Sequence, residues 1–227
     1  MNKKVDEPKY YIFKMDAVTL QITSTILLVV MVIFTISIDV DLSIYNKDFA
    51  IAFIFMIPYL ILHELLHSLS YVIHGADFKN ITNGAHLEKG ILCCLCKQNI
   101  SKKNILISLL YPFLFIGIVT YVIGIITNDV PLIFLSIFNI SGCSGDLTMF
   151  LGLSRIKNFE YSEFDDPMAF GIYTKENLKN KKMFGLKYVE TKDELEKSDF
   201  KKVNISKISI VVTIGLILLG IINLLIL

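Results

Sequence analysis

His63-Glu64-Leu65-Leu66-His67 is an H-E-x-x-H run, and it carries the most distinctive chemistry in the chain. On a helix, residues four apart lie on one face about 6 Å apart, so both imidazoles can reach one metal ion. Glu64 sits one residue round the turn, where a carboxylate can act as general base on a water that the metal activates. The chain has only four histidines, so chance rarely produces this spacing. The plainer alternative is a pair of histidines hydrogen-bonded to neighbouring helices. That would explain one buried histidine but not three polar groups in an otherwise apolar stretch.

The elements that must position these residues follow from composition. Of 227 residues, 54% are hydrophobic and 19% charged, with a mean hydropathy of +0.61. A soluble domain carries about 25% charged residues. The segments 17–38, 49–73, 105–126, 130–153 and 208–227 contain almost no charge. Each is long enough, at about 1.5 Å per residue, to cross about 30 Å of hydrocarbon. A soluble enzyme, a disordered chain and a secreted disulfide scaffold are therefore excluded. The net charge of +1, with no concentrated basic block, argues against a nucleic-acid partner and leaves the lipid bilayer as the expected environment.

Within these segments the acidic, basic and imidazole groups are few: His63, Glu64, His67 and Asp146. Such groups cost about 2.5–3.5 kcal/mol each at mid-helix and usually mark function. A catalytic zinc takes three protein ligands and leaves a position open. The metzincin continuation fails, because Ser70 and Ile73 stand where its glycine and third histidine would be. His74 shares the helix face but lies about 10 Å beyond His67, so it reads as an interfacial residue. Glu88 has a gluzincin-like separation but would have to fold back into the membrane. Asp146 has no basic mate in any span. It lies about 10 Å from the cytoplasmic edge, against about 9 Å for His67 and about 15 Å for His63. Metal ligation by His63, His67 and Asp146 is the expectation. Asn139, about two turns before Asp146, can face the same cavity and hold substrate backbone, or bond to another helix. Pro58 is expected to kink the second span above the site. Cys93 and Cys96 lack the second pair of a structural zinc site and read as apolar, reduced cysteines. Asp165 and Asp166 read as solvated.

Basic residues set the orientation. Alternate loops hold 21 of them against Lys47 alone on the other side, and the positive-inside rule places the rich set in the cytoplasm. The expected fold is an all-α polytopic membrane protein of about five transmembrane helices with a cytoplasmic N-terminus and a retained first span. Residues 1–153 form its core. Ile91–Cys96 is a hairpin strand or re-entrant piece, 154–204 a cytoplasmic lobe or linker, and 205–227 the last span. Thr191 and Glu194 resemble the start of a short helix. Lysine outnumbers arginine 21 to one, which points to a low-GC bacterial source and its plasma membrane.

The H-E-L-L-H run, Tyr111-Pro112-Phe113 and Gly142-Cys143-Ser144-Gly145-Asp146 resemble the bacterial membrane family described as putative zincin peptidases, over roughly residues 50–175. That family is similar in layout to the site-2 proteases. The resemblance implies an intramembrane zinc site near the cytoplasmic side, with His63, His67 and Asp146 as ligands and Glu64 as base. The fourth span departs from the site-2 pattern: no proline follows Asn139, and Leu147 rather than glycine follows Asp146.

The expected activity is zinc-dependent intramembrane hydrolysis of a peptide bond in a membrane protein or peptide substrate. An edge strand around Ile91–Cys96 would hold that substrate by strand addition. The alternative is a non-catalytic membrane peptide- or partner-binding protein with a structural or vestigial metal. A metal-ion transporter would need polar groups strung across several spans, whereas here they gather at one depth.

Overall fold

The computed structural model describes residues 7–38, 46–86, 91–163 and 168–189. Strand β1 (Lys9–Met15) leads directly into helix α1 (Ala17–Ser37). Asp16 caps α1, accepting from the Thr19 backbone N–H at 3.1 Å and the Thr19 hydroxyl at 2.7 Å, which satisfies one of the helix's orphan donors. Helix α2 (Asn46–Ile73) contains Pro58. A 3-10 turn, Phe78–Asn80, follows, and then the hairpin β2 (Ile81–His86) and β3 (Ile91–Cys96).

After the short strand β4 (Ile100–Ser101), α3 (Lys102–Pro112) passes through a π-helical segment, Phe113–Val119, into α4 (Thr120–Thr127). Asn128, with φ 51°, turns the chain. Asp129 then caps α5 (Val130–Gly142). Helix α6 (Ser144–Ser154) follows after a 42° bend at Cys143. Strands β5 (Glu160–Glu163), β6 (Ala169–Thr174) and β7 (Leu186–Val189) complete the described chain.

Among the described residues, three helical stretches are long and apolar enough to cross a membrane: Ala17–Ser37, Ala50–Ile73 and Lys102–Thr127. The bent pair α5–α6 makes a fourth if it counts as one span. The expected last span at 205–227, the helix start at Thr191–Glu194, and Glu88, Asp165 and Asp166 lie outside the described residues.

The all-α expectation is overturned. Strands β4, β5, β6, β1 and β7, in that order, form an antiparallel five-stranded sheet, and β2–β3 form a second, two-stranded one. In the larger sheet the interior strand β1 comes from the lysine-bearing segment before the first span. Tyr10-Tyr11-Ile12-Phe13 is an aromatic and β-branched run of the kind that suits a pleated, half-buried surface. It pairs with β6 in the register Lys9↔Thr174 to Lys14↔Ala169 and with β7 on its other edge. Phe13 stacks on Phe170, the ring centroids 6.0 Å apart. Both rings are buried with Ile172, Leu153 and Ile105 in one core that joins the sheet to α3 and α6. Burying such side chains stabilises by about 1.5–3 kcal/mol each. Lys102, at the start of α3, donates to the carbonyls of Ser154 and Lys157 at 3.1 and 3.3 Å. This places a cation on the last carbonyl of α6 and on the chain just beyond it, which the helix dipole favours.

Between the spans the contacts are hydroxyls and small residues. Tyr59 on α2 donates to the Ile116 carbonyl at 2.8 Å, and Thr120 meets Ser136 of α5 at 2.8 Å. Thr35 of α1 reaches the Tyr121 hydroxyl at 2.7 Å. Gly117 lets the π segment lie against α5, for a Cβ there would stand 2.9 Å from Ile140 Cγ1. Such contacts hold helices together where lipid removes the hydrophobic drive between them.

Candidate metal centre

Two helices and a bend bring the polar residues to one place. His63, Glu64 and His67 lie on α2. The bend at Cys143 starts a new helix, so Asp146 falls in the first turn of α6, where the helix dipole favours a carboxylate. His63 Nε2 lies 3.2 Å and His67 Nε2 3.4 Å from Asp146 Oδ2. The two imidazoles meet edge to face, their centroids 5.1 Å apart.

The opposite ring nitrogens are committed elsewhere. His67 Nδ1 lies 3.1 Å from the Ser108 carbonyl of α3. A carbonyl only accepts, so Nδ1 carries a proton, which leaves Nε2 as the nitrogen that can ligate a metal. Asn139 Nδ2 donates to the Pro112 carbonyl at 3.2 Å, which turns its Oδ1 toward His63 Nδ1 at 2.9 Å. His63 therefore also donates from Nδ1 and presents Nε2. Three atoms able to ligate a metal, two nitrogens and one oxygen, converge within 4.8 Å of one another.

This set fits zinc. Imidazole nitrogen and carboxylate oxygen bind it tetrahedrally at about 2.0–2.2 Å, which separates donors by about 3.3–3.5 Å. Ligating histidines characteristically donate their second N–H to a carbonyl or amide oxygen, as both do here. Among the described residues this is the one cluster of three His, Cys, Asp or Glu groups so arranged.

Glu64 is buried beside the cluster, its carboxylate accepting from the Cys94 backbone N–H of β3. The hairpin is held against α2 by Ser68, whose hydroxyl lies 3.0 Å from Asn83 Oδ1 and 3.1 Å from Cys94 Sγ. A cavity of about 330 Å³ opens over the cluster, walled by Leu92 and Leu95 of β3, Phe138 of α5, and Tyr161 and Phe170 of the sheet.

Asn139 faces the cluster with both ends of its amide engaged inside the protein. His74 sits apart, donating from Nδ1 to the Ser70 carbonyl at 2.7 Å. Cys94 and Cys96 are buried, and the cysteines of the described residues form no disulfide. Sequence reasoning missed the Ser108 carbonyl and the Cys94 N–H, because backbone partners have no residue-type signal. It also missed the sheet walls, whose aromatic strands were the available clue.

Residues 54–160 match a family model described as "Putative zincin peptidase". The matched span holds His63, Glu64, His67, Ser108, Asn139 and Asp146. No curated protein and no solved structure matches the chain, so the likeness in layout to the site-2 proteases rests on the sequence.

Proposed function

We propose, from a zincin-type family match that contains this cluster, that the chain is a zinc-dependent intramembrane metalloprotease. It would hydrolyse a peptide bond of a membrane-embedded or membrane-associated substrate near the cytoplasmic face. The observation that carries the reading is the convergence of His63 Nε2, His67 Nε2 and Asp146 Oδ2 beside the buried Glu64.

When bound, zinc supplies Lewis acidity and brings the pKa of a water toward about 7. The protein's own groups do the rest. His63, His67 and Asp146 hold the ion, and the Asn139 and Ser108 oxygens hold the two rings so that Nε2 faces inward. Glu64 takes the proton of the attacking water and returns it to the leaving amine. The β3 strand, whose Leu92 and Leu95 wall the cavity, receives an extended substrate segment by strand addition, and the apolar walls of the cavity limit bulk water.

Residues 1–153 then act as the catalytic core. Strands β5 and β6 complete the wall of the cavity through Tyr161 and Phe170, and the lysine-rich side faces the cytoplasm of a bacterial cell. The test is cleavage of single-span membrane peptides by the purified chain in liposomes. Cleavage should stop with a zinc chelator and return with added zinc. Zinc bound near one per chain without cleavage of any peptide would instead favour a binding protein with a structural metal.

A further inference from the structure

In an α-helix each carbonyl accepts from the N–H four residues on. Helix α3 ends at Pro112, and proline has no N–H to give. The carbonyl left without its regular partner is that of Ser108. The next N–H, of Phe113, turns to the Leu110 carbonyl and leaves Ser108 uncovered. An unmet carbonyl inside a membrane protein is costly, yet this one has a partner from another helix, His67 Nδ1 at 3.1 Å. Ser108 and His67 are both buried.

Pro112 reaches the second imidazole as well. Its own carbonyl accepts from Asn139 Nδ2 at 3.2 Å, and that sets Asn139 Oδ1 toward His63 Nδ1 at 2.9 Å. Beyond Pro112 the backbone widens into the π segment, a feature that recurs at functional sites. A Cβ on Gly117 in that segment would lie 3.4 Å from Asn139 Nδ2, so the glycine leaves the amide its room.

We propose that Pro112 is the positioning residue of the metal centre: its missing N–H frees the Ser108 carbonyl to orient His67, and its carbonyl orients His63 through Asn139. The inference rests on the metal site proposed above and deepens it. Pro112 touches neither metal nor substrate.

The substitution Pro112→Ala tests it, because it restores an N–H that competes with His67 for the Ser108 carbonyl. The full-length chain in detergent is measured in two ways. In metal-free protein, imidazole nitrogen NMR reads which ring nitrogen of His67 carries the proton. Wild type should show Nδ1–H, and Pro112→Ala should show mixed tautomers. In zinc titrations against a competing chelator, affinity should fall about 10–100-fold, the range seen when outer-shell partners of metal ligands are removed. The thermal midpoint should not fall, because alanine suits a helix better than proline does. Pro131→Ala, in the first turn of α5, serves as the control and should leave zinc affinity unchanged.

Unchanged zinc affinity in a folded Pro112→Ala chain overturns the proposal, as does a parallel fall in thermal midpoint and affinity, which marks a merely structural proline. If Pro112→Ala does not fold, the wild-type spectrum still decides, since a His67 unprotonated at Nδ1 overturns the inference. If wild type binds no zinc, the metal site itself fails. Equal binding by wild type and Pro112→Ala defeats only the role given to Pro112.

Discussion

Asn139 Oδ1 lies 2.9 Å from His63 Nδ1, at the end of a chain of contacts that begins at the Pro112 carbonyl. The amide joins α5 to the first histidine of the H-E-x-x-H run and leaves the other ring nitrogen turned toward Asp146. Asn139→Leu keeps the size of the side chain and removes the acceptor. Zinc affinity should fall about 10–100-fold in competition with a chelator. An unchanged affinity would mean that Asn139 only ties helices together.

The three converging donors should be separately necessary. Zinc analysis of the purified chain should give near one ion per chain for wild type and far less for His63→Ala or Asp146→Ala. Full zinc content in Asp146→Ala would show that the third ligand lies elsewhere.

The sheet makes the N-terminal segment part of the fold. Phe13 is buried against Phe170 and Tyr188 at the centre of β1. Phe13→Ala should cost about 3–5 kcal/mol, as for other large-to-small changes in a core. Denaturant unfolding in detergent would measure it, and a cost below about 1 kcal/mol would place β1 outside the cooperative unit.

Asp16 joins this sheet to the first membrane helix. The Lys187 ammonium, followed by the Thr19 hydroxyl and backbone N–H, holds its carboxyl down at about 2. A carboxyl depressed in the folded state stabilises fully above its unfolded value of about 3.9. That contribution fades as pH falls through the folded value. The thermal midpoint of wild type should exceed that of Asp16→Ala at pH 6, and the gap should close between about pH 4 and about pH 2. A gap constant down to pH 2 would contradict this assignment.

The site was more legible than the scaffold, for physical reasons. His63 and His67 declare themselves because four residues bring them round to one helix face. Asp146 stood out as a lone carboxylate with no basic mate at matching depth. The sheet was hidden because Lys9 pairs with Thr174. No local pattern announces so distant a partner, and the lysines that set the orientation masked the aromatic run between them. The bend at Cys143 was equally silent, since no proline marks it. Asn139 was visible as a polar residue in an apolar helix, but its partners depend on which helices touch. Ile91–Cys96 read as a strand or a re-entrant piece, and only pairing with Ile81–His86 distinguishes the two.

The most direct test of the central claim is the effect of Glu64→Gln on cleavage of single-span membrane peptides in liposomes, with bound zinc measured in the same samples. The predicted result is zinc content equal to wild type and cleavage reduced to background, because glutamine is nearly the same size but cannot take the proton. Cleavage by Glu64→Gln at the wild-type rate would contradict the account.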